Sequence, residues 1–375
     1  MLDNRAMIII RHWKAAVKVI VALLIILFAA FPVRAANVYE IQGVDVDVTA
    51  ETAAAARQQA LAQGEIDAFR RILERITLLE DRHRLPNLKP SEISTFVQDF
   101  SVAEEKTSAV RYLATLNYRF KRNNIRDLLI GDNIPFAETP SKTTLILPVY
   151  HAAGIIVLWD DPNPWRKAWA ERQIEVGLVP TLLPAGDLTD IATIGAEQAV
   201  NGDTQRLTAV TNRYKAGDTL VTYAVAGLSQ KTGKPELRVR MTRHGGALDT
   251  QTVDRIFQAR IGESHERLLA RAATELSWLL EDSWKQDNLL QFDQQSVLAV
   301  DVPIKNLRDW LDIKERLSNV AVIRTLDMVL LSKTAVRINL HYIGAVEQLS
   351  LALEQADLAL LGSGENWVLN FSGNR

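Results

Sequence analysis

The segment from Val110 to Lys121 alternates between apolar and polar side chains. The apolar set is Val110, Tyr112, Ala114, Leu116, Tyr118 and Phe120; the polar set is Arg111, Thr115, Asn117, Arg119 and Lys121, and only Leu113 breaks it. Because successive side chains of a β-strand point to opposite faces, this period predicts a strand with one face on a core and the other in solvent. The chain must therefore build a sheet that is covered on one side.

A first mixed module is predicted over residues 37–140. It opens with a strand in which Val44, Val46 and Val48 alternate with acidic residues, and Thr49 is expected to cap the long helix that follows. The apolar stripe of that helix is rich in alanine, which allows close packing on the module's own sheet. Its members are Ala53, Ala56, Ala60, Gly64, Ala68, Ile72 and Ile76. A short helix begins after Pro90, and a strand from Val97 to Lys106 is the expected hairpin partner of the alternating strand.

A central module is predicted over residues 141–288. Its apolar runs, Thr143 to Val149 and Gly154 to Trp159, are typical of strands buried on both faces. Three later strands, Leu220–Leu228, Leu237–Thr242 and Thr252–Gln258, are expected to form a meander, and a long amphipathic helix closes the module.

A C-terminal module is predicted over residues 289–375. The order of its strands and helices is strand, helix, strand, strand, helix and closing strands, which is the split βαβ order of ferredoxin-like domains. The whole chain is therefore assigned to a mixed α+β or α/β class with three small modules. Since no Pro- or Gly-rich linker separates the modules, we expect them to pack on one another.

The N-terminal segment, residues 1–36, has the layout of a secretory signal peptide. Arg5, Arg11, Lys14 and Lys18 precede an apolar run from Val19 to Phe31, and small side chains at Val33 and Ala35 predict cleavage after Ala35 or Ala36. The run is short for a bilayer core that requires about 20 residues. Export to the bacterial periplasm is therefore predicted, and an uncleaved anchor in the inner membrane is the alternative.

Cysteine is absent from the chain, so lipid attachment at cysteine, disulfides, thiol catalysis and cysteine zinc sites are excluded. The formal net charge is −2, and removal of the basic N-terminal segment would make it more negative. A mildly acidic protein has no electrostatic basis for binding nucleic acid. No later segment is apolar over a length that spans a bilayer, so no transmembrane span is expected after signal cleavage.

The most site-like cluster is formed by aromatic and acidic residues near the start of the central module. Adjacent carboxylates flanked by indoles could bind a sugar or a cation. The weak candidate ligand-binding residues are Trp159, Asp160, Asp161, Trp165 and Trp169. A structural role is the competing interpretation, in which Asp161 starts a turn, Pro164 begins a helix and the tryptophans fill a core.

The remaining sequence provides no catalytic or metal-binding motif. The six histidines are scattered, and no two are four residues apart, as a helix needs to direct two imidazoles at one metal. No nucleophile elbow or phosphate loop stands in its required context. Neither catalytic residues, metal ligands nor cofactors are therefore predicted.

Several short segments resemble an exported proteobacterial family known as domain of unknown function 2066. They are Val44-Asp-Val-Asp-Val-Thr-Ala, the following helix segment Ala-Arg-Gln-Gln-Ala-Leu-Ala, Asp161-Pro-Asn-Pro-Trp165, Tyr342-Ile-Gly344, Leu353-Glu-Gln355 and Trp367-Val-Leu369. The resemblance covers all three modules and implies an envelope protein without an assigned activity. It supplies no catalytic residues.

Two functional hypotheses follow from these patterns. The first is a non-enzymatic periplasmic protein that binds envelope protein partners. The second is a periplasmic protein that binds a glycan or another small ligand in the Trp159–Trp169 region. A deep pocket lined by polar groups would favour ligand binding, and an exposed apolar patch would favour protein interaction.

Overall fold

The alternating strand forms the centre of the first of three sheets. In this computed structural model the described residues are 37–172, 177–245, 251–290, 295–364 and 366–372, so the predicted signal segment lies outside them. The first sheet contains β1 (Glu40–Thr49), β2 (Val97–Thr107) and β3 (Arg111–Phe120) in the order β1-β3-β2. Both neighbours pair antiparallel to β3, as the expected hairpin requires.

The covered face of β3 carries the predicted residues from Tyr112 to Phe120, all of which are buried. Val110 is an exception, because it precedes the strand and is exposed. Helix α1 (Ala53–Ile76) covers this face, and its Gly64 lies so close that a Cβ would come within 2.6 Å of the Tyr118 hydroxyl. The predicted cap at Thr49 is wrong: β1 continues through Thr49, and the Oγ1 of Thr52 accepts the hydrogen bond of Ala55 N.

A short 3-10 helix (Glu80–Arg84), α2 (Pro90–Phe96) and α3 (Arg122–Gly131) complete the first module. In its described residues the central module contains six strands and five helices. Its strands are β4 (Thr144–Ala152), β5 (Ile155–Val157), β6 (Thr181–Leu182), β7 (Asp218–Leu228), β8 (Pro235–His244) and β9 (Thr252–Gln258). Its helices are α4 (Pro164–Glu171), α5 (Leu188–Thr193), α6 (Ala196–Val200), α7 (Thr204–Arg213) and α8 (His265–Asp287).

The central sheet has the order β5-β4-β7-β8-β9, and β6 pairs with β4 beside β5. Strand β4 is buried on both faces, as its apolar run predicts: Leu145 and Leu147 contact the core under α6 and α7, whereas Ile146 contacts the core under α4 and α8. Strands β7, β8 and β9 form the predicted antiparallel meander.

The prediction that the run from Gly154 to Trp159 is a strand buried on both faces is wrong. Only Ile155–Val157 forms a strand, at the edge of the sheet, and Ile155 is exposed. Strands β4 and β5 are joined by Ala153 and Gly154, which both have positive φ, as a tight two-residue hairpin requires. Strand β5 is therefore the second strand of a hairpin with β4, and it lacks a neighbour on its outer side in the described sheet.

The third sheet contains β10 (Gln295–Pro303), β11 (Ile323–Leu331), β12 (Ala335–Ile343), β13 (Leu358–Ser363) and β14 (Asn366–Phe371). Its helices are α9 (Leu307–Ser318) and α10 (Val346–Gln355), so the predicted order of strands and helices is confirmed. The sheet order is β11-β12-β10-β14-β13, in which β14 pairs parallel to β10 and β13 forms the edge. The chain is thus of mixed α+β class.

The three sheets lie within the three predicted ranges, but their cores are not separate. One continuous hydrophobic cluster joins the first and third sheets and runs from Tyr39 to Leu369, while the central sheet has a core on each face. From Val38 onward the chain forms one compact unit. No helix among the described residues has the length and apolarity needed to cross a membrane.

Candidate functional site

The Trp159–Trp169 cluster is divided between core and surface. Trp165 and Trp169 are fully buried and meet edge to face, with ring centroids 5.8 Å apart. The Nε1 of Trp165 donates to the carbonyl and hydroxyl oxygens of Thr222 at 3.0 and 3.1 Å. Neither ring presents a face to a ligand from solvent.

Trp159 is half-buried, and its Nε1 donates to the carbonyl oxygen of Ile194 at 2.6 Å. Asp160 and Asp161 are exposed. The cap of α4 is Asn163, whose Oδ1 accepts from Arg166 N at 2.9 Å, and Pro164 is the first helical residue. None of the five predicted residues lines the large cleft between α1 and α8. Ligand binding by this cluster stays a prediction.

The histidines of the described chain contact several different partners. His151 lies 2.7 Å from the Tyr223 hydroxyl, His265 lies 2.8 Å from the Tyr150 hydroxyl, and His341 lies 2.8 Å from an Asp327 carboxylate oxygen. Among the described residues, no group of three histidine or carboxylate side chains is arranged to hold a metal ion.

A cleft of about 720 Å³ lies between α1 of the first module and α8 of the central module. On α1 the lining residues are Asp67, Arg70, Arg71, Glu74 and Arg75. On α8 they are Thr274, Ser277, Trp278, Leu280, Glu281, Asp282 and Lys285. Apart from Leu280, these positions repeat at spacings of three and four, so each helix directs toward the cleft one stripe of residues, all of them polar except Trp278. The remaining walls include β1, the 3-10 helix, Arg172 and the segment from Gly177 to Thr181.

Among the described residues, six basic and four acidic side chains line the cleft, and the basic ones differ in their partners. Arg70 pairs with Glu74 at 2.8 Å, and Arg71 pairs with Asp67 at 2.8 Å. Arg82 lies 3.6 Å from Glu74. These three arginines are therefore partly neutralised by carboxylates on α1.

Arg75 and Arg172 are held differently, because their hydrogen-bond acceptors are uncharged. One Arg75 nitrogen donates to the carbonyl oxygens of Val38 and Glu40 at 2.8 and 2.7 Å. Arg172 donates to the Trp169 carbonyl oxygen and the Thr181 hydroxyl, and its guanidinium carbon lies 4.7 Å from the centroid of the Trp169 ring. Burial lowers the pKa of Arg75 to about 10 and also lowers the pKa of Arg172. Both cations lie where water solvates them poorly.

The carboxylates of α8 are engaged by main-chain amides. Glu281 accepts hydrogen bonds from Leu178 N and Val179 N, both at 2.9 Å, and burial raises its pKa. A Cβ on Gly177 would lie 2.2 Å from Glu281 Oε1, so this position needs glycine for the close approach. Asp282 accepts from Leu79 N at 2.8 Å. These two carboxylates therefore hold the main chain at Leu178, Val179 and Leu79 in position in the walls of the cleft.

A second feature is an apolar surface at the end of β11, formed by Met328, Val329, Leu330 and Leu331. Their side chains are 48–60% exposed. Strand β11 lies at the edge of the third sheet and, among the described strands, pairs only with β12, so its other edge presents main-chain groups that no described strand pairs. We call this surface the β11 edge.

No protein-family model matches the chain, and a search of curated proteins found no match. The similarity to domain of unknown function 2066 therefore stays a prediction.

Neither the cleft nor the β11 edge is predicted by the sequence patterns. The polar stripe of α8 was visible at helical spacing, but a polar stripe usually faces solvent. Only the packing of two distant helices makes it part of a cleft. For β11, a run of four apolar residues such as Met328 to Leu331 is typical of a buried strand, yet the strand order places β11 outermost and these side chains are exposed. A strand predicted from apolar residues can be central or at an edge, and its own sequence does not distinguish the two.

Proposed function

We propose that this protein is a non-enzymatic interaction protein of the bacterial cell envelope and that it binds an extended segment of another envelope protein along the β11 edge. The observation that supports the proposal is the exposure of four consecutive apolar side chains on an unpaired strand edge. Strand addition supplies main-chain hydrogen bonds to a partner, and apolar side chains on both faces add contact area.

The edge strand β2 of the first sheet has a different composition. Strand β2, the edge of the first sheet, is exposed along most of its length and carries Asp99, Glu104, Glu105 and Lys106. Charged residues of this kind prevent edge-to-edge association. The end of β11 lacks them, which is expected of a surface that a partner covers.

The charge pattern of β11 disfavours a second copy as the occupant. An antiparallel pairing of two β11 strands with full overlap would place Asp327 opposite Asp327, and directly opposed like charges are destabilising. A segment of another protein can instead place a lysine or arginine opposite Asp327. We therefore expect an extended, apolar partner segment with a basic residue at that position.

The test uses a photo-crosslinking amino acid introduced at Val329 in the living cell, with the same amino acid at Glu105 of β2 as the matched control. We expect adducts at Val329 that map to one segment of one exported protein, and no such adduct at Glu105. The adduct should disappear in a Leu330→Asp variant whose thermal unfolding is unchanged. Absence of adducts at Val329, adducts with the chain itself, or the same adducts at both sites would contradict the proposal.

A further inference from the structure

The cleft between α1 and α8 has no role in the proposed partner binding, and its dimensions suit a small molecule. Its volume of about 720 Å³ lies within the roughly 300–1,000 Å³ typical of small-ligand pockets. The walls come from two modules whose relative position is fixed by buried contacts. Lys285 of α8 donates to the carbonyl oxygens of Glu74 and Thr77 at 3.0 and 2.9 Å. The cleft is therefore part of the folded unit.

We propose that this cleft binds a small amphipathic anion, a molecule that carries a carboxylate or phosphate group on a flat apolar body. The anionic group would contact guanidinium groups in the wall of the cleft, and the body would lie against Trp278. This site is independent of the β11 edge.

Positive charge in the cleft exceeds what its carboxylates neutralise. Arg75 and Arg172 bind carbonyl and hydroxyl oxygens, and within the described chain no carboxylate oxygen lies within 4.0 Å of either guanidinium. Each guanidinium has five N–H donors, of which these hydrogen bonds use only some. A carboxylate or phosphate offers the paired oxygens that a guanidinium binds best.

The carboxylates of the cleft do not favour a cationic ligand instead. Glu281 and Asp282 accept main-chain N–H groups, and Asp67 and Glu74 contact Arg71 and Arg70. A cation entering the cleft would meet acceptors that are already engaged and several arginines that repel it. An anion entering the cleft would instead be attracted by the same arginines.

Two apolar side chains in the lining supply the surface for the body of the ligand. Trp278 is 42% exposed, although it lies on the otherwise well-packed helix α8, and Leu79 is 46% exposed. An exposed indole beside cationic groups can stack on a flat ring while the charged end is hydrogen-bonded.

Isothermal titration calorimetry with naphthyl phosphate tests the proposal on the protein purified from expressing cells. Naphthol, which lacks the anion, and inorganic phosphate, which lacks the ring, are the matched probes. We expect saturable binding of naphthyl phosphate and weaker binding of both matched probes. Arg172→Gln should weaken the binding about tenfold, as expected for one lost charge-assisted hydrogen bond. Trp278→Ala should also weaken it.

Arg82→Gln is the second variant, since Arg172 also holds the Trp169 carbonyl oxygen and its loss could affect folding. Arg82 lines the cleft and contacts Glu74 only at 3.6 Å, and its buried Nε has no hydrogen-bond partner among the described residues. Arg267→Gln is the control, because Arg267 is an exposed arginine of α8 outside the cleft and its loss removes the same charge. We expect Arg82→Gln to weaken binding and Arg267→Gln to leave it unchanged. No binding at millimolar naphthyl phosphate, equal binding of naphthol, or equal losses in Arg82→Gln and Arg267→Gln would overturn the proposal.

Discussion

At the scale of single residues, the same residue type occupies very different surroundings in this chain. The indole of Trp165 is enclosed by the central core and hydrogen-bonded to Thr222, whereas the indole of Trp278 is 42% exposed in the wall of the cleft. Both lie on amphipathic helices. Burial makes Trp165 a determinant of stability, and exposure leaves Trp278 available to a ligand.

Trp165→Ala should lower the free energy of unfolding by about 3–5 kcal/mol, because it removes a large buried ring and leaves a cavity. The measurement is equilibrium denaturation in urea. Trp278→Ala is the matched control, and we expect it to change stability by less than half as much.

The exposed Asp161 provides a second comparison, since Asp161→Asn should leave stability nearly unchanged. If Trp165→Ala were as stable as Trp278→Ala and failed to function in the cell, the ring would have a binding role that its burial argues against.

At the scale of elements, the first sheet shows how alternating apolar and polar residues in the sequence determine which side chains of a strand are buried and which residues they lie opposite. Leu116 of β3 is fully buried and lies opposite Val44 of β1 and Val102 of β2. Leu113 of the same strand points to the other face and is 38% exposed. The polar face carries ion pairs such as Arg119 with Asp99 at 2.7 Å, which exposed side chains hold at small net gain.

Leu116→Asp should unfold the protein or lower its stability by several kcal/mol, because a carboxylate enters an apolar core without a partner. Leu113→Asp makes the same chemical change on the solvated face and should have a small effect. Thermal unfolding followed by circular dichroism compares the two. Similar melting temperatures would show that the strand register is wrong.

The elements that could be predicted are those whose signal is local. The faces of β3, the stripe of α1 and the strand and helix order of the third sheet all follow from spacing within one segment. Features that depend on distant segments could not be predicted. The parallel pairing of β14 with β10, the edge position of β5 and the cleft between α1 and α8 each depend on which element becomes the neighbour.

At the scale of the whole molecule, the first and third sheets share one core, and a buried ion pair of the first module is hydrogen-bonded to the third. Arg126 of α3 makes two hydrogen bonds to the Glu138 carboxylate, at 2.6 and 2.5 Å, and donates to the Ala321 carbonyl oxygen at 3.0 Å. The two side chains are only 5% and 1% exposed. Trp284 of α8 donates to the Thr139 carbonyl oxygen at 2.7 Å and ties the central module to the same region.

These contacts predict that residues from Val38 onward unfold in one cooperative transition. Arg126→Met leaves a buried carboxylate without its partner and should cost about 3–5 kcal/mol. The variant is read out by tryptophan fluorescence, because the described tryptophans, from Trp159 to Trp367, all lie beyond the first sheet. If the modules are coupled, the fluorescence midpoint and the circular dichroism midpoint should fall together.

The double variant Arg126→Met with Glu138→Met should recover part of the lost stability, since neither buried charge of the pair remains. A fluorescence midpoint that stays unchanged while circular dichroism shows early loss of structure would mean that the first sheet unfolds independently, despite the shared core.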